Sequence, residues 1–134
     1  MINGINSREM ILEILLEIEE GEHSHVAIRN ALSKYQFLPK QDRAFITRVC
    51  EGTLEYRIQI DYIINSFSKV TVDKMKPAIR EILRSAVYQL KYMDSVPDSA
   101  VCNEAVKLAQ RKGFYNLKPF VNGVLRTIAR EMED

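Results

Sequence analysis

The residues best suited to chemistry are polar side chains that recur at helical spacing in the last third of the chain. Lys107 and Arg111 are four residues apart, and Asn122, Arg126 and Arg130 repeat at the same interval. Residues four apart share one face of a helix, and both sets fall opposite apolar positions, so they should point outward. Outward cations neutralise phosphates. Asn122 is better explained as a hydrogen-bond donor that ties its helix to a neighbour, and Asn103 and Glu104 as side chains that cap or bridge adjacent helix ends.

A second basic group precedes this one on a segment whose pattern is also helical. Arg80 and Arg84 lie on one flank of it, with Lys76 and Lys91, and Tyr88 interrupts the stripe. Cations beside an aromatic ring could hold phosphates while the ring stacks on a base. For Tyr88 and Tyr92, packing against other helices is the favoured interpretation. For the charges, a solvated face or internal ion pairs is the alternative, with Glu104 the obvious partner of Lys107.

The charge is divided unevenly along the chain, although the net value is only +1. Residues 1–67 carry 7 Lys/Arg against 10 Asp/Glu, whereas residues 69–130 carry 12 against 5. The second half is therefore the part expected to face a polyanion.

Catalytic and metal-binding signatures are missing from the sequence. His23 and His25 flank one serine without a Cys, Asp or Glu at ligand spacing, and Cys50 and Cys102 fit reduced core positions. No glycine-rich loop follows a strand, and we expect no carboxylate in an apolar setting that would raise its pKa. Without a signal peptide or an apolar run near 18 residues, the cytoplasm is the expected location and no membrane is implied.

The elements that must position these residues are helices. The chain has 134 residues, 46% of them hydrophobic, and apolar residues recur at helical spacing almost throughout, which predicts one all-α domain over residues 1–134. Seven helices are expected. Their predicted starts are Asn6 or Ser7, Ser24 as a cap, about Lys40, the region of Ile60, Pro77, the Ser95 to Asp98 region, and Pro119.

Four glycines and one polar stretch add detail to this prediction. Gly21 and Gly113 should end helices, and Gly52 with Thr53 should mark either a close helix contact or a weak point near the end of the third helix. Gly123, in the sequence Phe-Val-Asn-Gly, is expected to permit close backbone approach. The polar stretch 68–76 is the one substantial loop, and a boundary between two subdomains could fall there.

Four segments together resemble the NusB-type RNA-binding domain: residues 42–46, 82–90, 96–109 and 120–126. The resemblance runs from about Ser7 to Arg130. The family includes free-standing transcription antitermination factors and the N-terminal domain of a small-subunit ribosomal RNA cytosine methyltransferase. It implies seven helices in two small packed bundles and binding of RNA.

The chain looks more similar to the methyltransferase domain, on residues 41–45, residues 52–57 and Leu125-Arg126. The resemblance then implies a substrate-RNA-binding domain for small-subunit ribosomal RNA, without a cofactor of its own, S-adenosylmethionine being bound by a following domain. The alternatives are a free-standing antitermination factor, which would bind RNA and a small-subunit ribosomal protein, and a helical protein-interaction module.

The first helix differs from that of the antitermination factors, in which it is typically arginine-rich and contacts RNA. Here Arg8 is the only arginine in the stretch, and glutamates surround it. The candidate RNA contacts are Arg8, Arg80, Arg84, Lys107, Arg111, Lys112, Lys118, Arg126 and Arg130.

Overall fold

The computed structural model describes residues 6–132, which form seven α-helices and two short 3-10 turns without a β-strand. The helices are α1 (Ser7–Glu19), α2 (Ser24–Lys34), α3 (Lys40–Glu55), α4 (Arg57–Phe67), α5 (Pro77–Tyr92), α6 (Asp98–Arg111) and α7 (Lys118–Glu131). The 3-10 turns are Val72–Lys74 and Tyr115–Leu117. The prediction of an all-α fold with seven helices is confirmed.

Local signals explain several helix ends. The side chain of Asn6 accepts a hydrogen bond from the backbone N of Glu9 at 2.8 Å, which satisfies a donor that a helix start leaves unpaired. Gly21 and Gly113 follow α1 and α6 with φ of +119° and +88°, a conformation that favours glycine. The prediction for α2 was wrong in detail, because His23 holds the cap position and makes no side-chain cap bond.

The helices pack as two bundles that share one continuous core. α1, α2 and α3 contact one another, and α4, α5, α6 and α7 form the second group. α5 is central, because it packs on α1 and α3 as well as on its own bundle, with Ile79, Ile82, Leu83 and Val87 buried. The predicted arrangement in two bundles is confirmed.

The segment 68–76 is tied to the second bundle. Val72 and Met75 are buried, and their carbonyls accept hydrogen bonds from Arg80 Nη1 at 2.9 and 3.1 Å. α4, which precedes the segment, packs mainly on α5 and α7, so the grouping of helices changes before α4. A subdomain boundary at 68–76 stays a prediction that limited proteolysis can test.

Across residues 6–132, no helix is long and apolar enough to cross a membrane.

The two helical glycines have opposite surroundings. A Cβ on Gly52 would lie 2.1 Å from Cζ of Tyr88, so the absence of a side chain lets α3 and α5 approach, as predicted. A Cβ on Gly123 would meet nothing within 4 Å. The expectation of close approach at Gly123 was wrong, because this position faces outward on α7.

Candidate nucleic-acid interface

Arg8, in the first turn of α1, is held by two residues of neighbouring helices. Its Nε donates to Oε1 of Gln89 on α5 at 3.0 Å, and its Cζ lies 5.2 Å from the ring centroid of Phe45 on α3. Burial lowers the pKa of the Arg8 guanidinium, and nearby Glu104 opposes this shift. The two terminal nitrogens have no hydrogen-bond partner among residues 6–132 and are not fully buried, so the fixed guanidinium keeps donors for a ligand.

Asn103 and Glu104 on α6 bring two more candidate residues to the same surface. Arg126 Nη2 donates to Oδ1 of Asn103 at 2.9 Å, which joins α7 to α6. Lys107 Nζ lies 3.3 Å from Glu104 Oε2, the partner suggested by the sequence. Because Glu104 also interacts with Arg8, these residues form one surface of α1, α6 and α7.

Asn122 does not itself tie α7 to a neighbouring helix as predicted, because its side chain accepts a hydrogen bond from a residue of α7. Its Oδ1 accepts from Arg126 Nε at 3.1 Å, so Asn122 and Asn103 together orient the guanidinium across α6 and α7. Arg130, one turn further along α7, lies 3.7 Å from Glu131 and its side chain is 68% exposed. At the other end of α7, Lys118 donates to Gln110 at 2.7 Å and lies 4.4 Å from the ring centroid of Tyr115.

Two cations at the end of α6 turn toward α1. Arg111 lies 3.3 Å from Glu9, and Lys112 pairs with Glu13. Both pairs are partly solvent-exposed and weak on their own, and they partly neutralise the cations. Arg111 and Lys112 therefore lie at the border of the α1, α6 and α7 surface, and their positive charge is partly neutralised by Glu9 and Glu13.

Arg80 and Arg84 are engaged inside the protein, so the basic stripe expected on α5 is not a free surface. Arg80 pairs with Glu19 and also binds two backbone carbonyls. Arg84 makes a bidentate pair with Asp61 at 2.8 Å for each bond and a 2.6 Å bond to Glu81. The packing interpretation of Tyr88 is confirmed, because it is 5% exposed and stacks on Tyr92.

Glu81 contradicts the expectation that no carboxylate has a raised pKa. It is 4% exposed, and burial together with a hydrogen bond that it donates to Glu19 raises its pKa to about 8, against the opposing effect of Arg84. No local pattern marks this residue, because Glu81 sits between two arginines and reads as an ordinary i, i+3 partner. Glu81 lies away from the Arg8 surface, in the charge cluster between α1, α4 and α5.

The cysteines and histidines supply no reactive centre. Cys50 and Cys102 are buried and free, as predicted, and burial raises the pKa of the Cys50 thiol to about 12. The rings of His23 and His25 stack with centroids 6.1 Å apart. Within residues 6–132, no group of three or more His, Cys, Asp or Glu side chains is placed to hold a metal ion.

Sequence reasoning missed the residues that support the cations rather than the cations themselves. Gln89 and Phe45 orient Arg8, and Asn103 orients Arg126, from positions 23 to 81 residues away in the chain. For Asn103 the sequence indicated a side chain that caps or bridges helix ends, but it did not identify Arg126 as the partner. No periodicity reports such long-range pairs.

Known proteins match this chain in sequence and in fold over more than nine tenths of its length. The probable ribosomal RNA small subunit methyltransferase B of Bacillus subtilis is 35% identical over 92% of this chain, which spans 28% of that relative's length. The transcription antitermination protein NusB of Bacillus velezensis is 34% identical, with 95% of each chain covered. A crystal structure of antitermination factors NusB and NusE in complex with dsRNA matches with a TM-score of 0.84 at 21% identity, covering 93% of this chain and 94% of the matched chain.

The protein-family model that matches is the one described as the NusB family, and it spans residues 5–130. This range includes all seven helices up to the last turn of α7. The chain belongs to the NusB family.

Proposed function

We propose that this chain binds RNA through the surface that carries Arg8, Lys107 and Arg126. The observation that supports this most strongly is the position of Arg8, whose Nε is fixed by Gln89 while its terminal nitrogens stay accessible and have no hydrogen-bond partner among residues 6–132. A guanidinium fixed in this way loses little side-chain freedom when it binds a phosphate or a base edge. Lys107, 62% exposed, and Arg126 extend the positive surface beside it.

The substrate that fits best is small-subunit ribosomal RNA, with the chain acting as the N-terminal RNA-binding domain of a cytosine methyltransferase. The support is the 35% identity to the methyltransferase relative over 92% of this chain. In this role the chain has no catalytic centre, and S-adenosylmethionine binds to a following domain, in the cytoplasm. The purified chain should therefore transfer no methyl group to RNA above a control without protein.

A free-standing antitermination factor is the second candidate. The observation that favours it is the match to an antitermination protein over 95% of that protein's length. This function adds a small-subunit ribosomal protein as a partner. The codons that follow Asp134 in the source gene separate the two candidates, since an open frame encoding a glycine-rich strand, loop and helix supports the methyltransferase, and a stop supports the factor.

Filter binding with small-subunit ribosomal RNA fragments at several salt concentrations tests the proposal. We expect binding that weakens linearly on a log-log plot against salt, because released counterions drive it. Arg8→Gln should weaken binding, whereas Arg29→Gln, at an exposed position on α2, should not. Absence of binding at low salt, or equal effects of the two variants, would contradict the proposed surface.

A further inference from the structure

Three tyrosine rings stack from the core to the surface beside the end of α5. The ring centroids of Tyr56 and Tyr92 are 4.5 Å apart at 21°, and those of Tyr88 and Tyr92 are 5.2 Å apart at 30°. Tyr88 is buried against Gly52, whereas Tyr56 is 38% exposed. The stack therefore offers an aromatic surface to solvent whose inner end is fixed in the core.

Hydrogen bonds hold the ring of Tyr92 and the backbone of both Tyr92 and Tyr56. The hydroxyl of Tyr92 bonds to Gln59, and Arg48 Nη2 donates to the Tyr92 carbonyl at 2.9 Å. Tyr56 joins α3 to α4, because its N donates to the carbonyl of Gly52 and its own carbonyl accepts from Ile60. Rings that are ordered before binding lose little entropy when a ligand stacks on them.

The charges around the two outer rings favour a polyanion. Arg48 is exposed on α3, and Lys91 Nζ lies 5.6 Å from the ring centroid of Tyr92. Glu55 is an acidic residue near the rings, because it is one of the groups that raise the pKa of Tyr92, after burial and the neighbouring tyrosines. Two cations beside stacked rings match a strand whose bases and phosphates alternate.

The rings also adjoin the Arg8 surface. The Arg8 guanidinium packs on Phe45, and Phe45 lies one turn from Arg48 on α3. Arg48 in turn contacts Tyr92. A strand bound at Arg8 could therefore reach Tyr56 without leaving this side of the molecule.

We infer that Tyr56 and Tyr92 form a stacking platform for an unpaired base of the RNA that the Arg8 surface holds. This inference rests on the proposed RNA binding and adds to it a preference for RNA with a single-stranded extension. Bases that are splayed from a helix can stack on aromatic side chains, whereas bases inside a duplex cannot. An aromatic side chain of a protein partner is the competing ligand for the same rings.

The test uses two RNA hairpins that share one stem, one blunt and one with a six-nucleotide single-stranded extension carrying 2-aminopurine. Tyr56→Ala should weaken binding of the extended hairpin about 5- to 100-fold, the range for loss of one stacked base, and leave the blunt hairpin unchanged. Tyr56→Phe should bind as the original chain does. The matched control is Tyr62→Ala, because Tyr62 lies on α4, the helix that follows Tyr56, and is 74% exposed.

Fluorescence separates stacking from a loss of fold. Quenching of 2-aminopurine by the original chain and by Tyr56→Phe, but not by Tyr56→Ala, is the expected result. If both hairpins bind and Tyr56→Ala changes neither affinity nor quenching, the platform is wrong while RNA binding stands. If Tyr56→Ala weakens both hairpins equally, the residue acts through the fold and the platform is again wrong. If the original chain binds neither hairpin, RNA binding itself fails and the platform fails with it.

Discussion

Glu81 and Arg84, one turn apart on α5, make a 2.6 Å ion pair at the place where the two bundles meet. Around Glu81 lie Glu19 of α1, Asp61 of α4 and Arg80 of the same helix. Burial and the neighbouring Glu19 favour a protonated Glu81, while Arg84 favours the charged form. The cluster links α1 to α4 and α5 through charges that are mostly withdrawn from water.

Replacing Glu81 by Gln should reduce the dependence of stability on pH. The folded protein holds the Glu81 proton up to about pH 8, whereas the unfolded chain releases it near its ordinary value of 4.5. Folding therefore takes up a proton between these values, and the contribution of Glu81 is complete below the lower one and lost as the pH rises toward 8. Relative to Glu81→Gln, the original chain should lose up to about 1.4 kcal/mol per pH unit. Urea unfolding from pH 5 to 9 measures this, and a constant difference across the range would contradict it.

Replacing Arg84 should cost stability, whereas replacing Lys107 should not. Arg84→Gln leaves Asp61 without its cation and Glu81 without a hydrogen-bond donor, and breaking a buried pair costs about 3 kcal/mol at the low end of its range, because Asp61 stays partly exposed. Lys107→Gln removes one exposed pair and should change the free energy of unfolding by less than about 0.5 kcal/mol. Chemical denaturation compares the two, and similar stabilities would show that the internal pairs contribute little.

The sequence predicted the helices well because each one carries its own signals. Ser7, Lys40, Pro77 and Asp98 begin helices as expected, since the apolar period and the proline position are local properties. The arginines of α5 show that helical spacing alone does not predict whether a side chain is exposed. Arg80 and Arg84 repeat at the same spacing as surface cations, and only the approach of α1 and α4 encloses them. Helical spacing fixes a flank of a helix but does not tell what covers it.

The two helical glycines should respond oppositely to alanine. Gly52→Ala places a Cβ against the buried and stacked ring of Tyr88, and overpacking of this kind costs about 1–3 kcal/mol. Gly123→Ala meets open space on α7 and should gain about 0.5–1 kcal/mol from better helix propensity. Thermal unfolding of both variants measures the difference. A stabilising Gly52→Ala would mean that α3 and α5 can separate at little cost.

The candidate site was predicted only in part, because the sequence does not tell which helices become neighbours. Lys107, Arg126 and Arg130 lie outward on α6 and α7, as their spacing indicated. The sequence could not reveal that Asn103 and Asn122 orient Arg126, or that Phe45 and Gln89 orient Arg8. Such interactions depend on which helices become neighbours, and one sequence contains no direct record of that.

Reversing two charges on α7 should weaken RNA binding without unfolding the chain. In Arg126→Glu with Arg130→Glu, both positions are exposed and lie opposite the buried side of α7, so helicity should be kept. Binding should weaken to a similar extent for every RNA sequence, since phosphate contacts carry little sequence information. The salt dependence should flatten by roughly 0.7 to 0.9 log units per log unit of salt for each phosphate that the protein no longer neutralises.

The control variant, Arg29→Glu with Lys40→Glu, makes the same charge change on the first bundle, and an acidic residue at position 40 suits the start of α3. Filter binding over a range of salt compares the two doubles. An equal reduction in both would show an effect of net charge alone, and an α7 double that binds with unchanged affinity and salt slope would leave Arg8 as the place to look for the RNA.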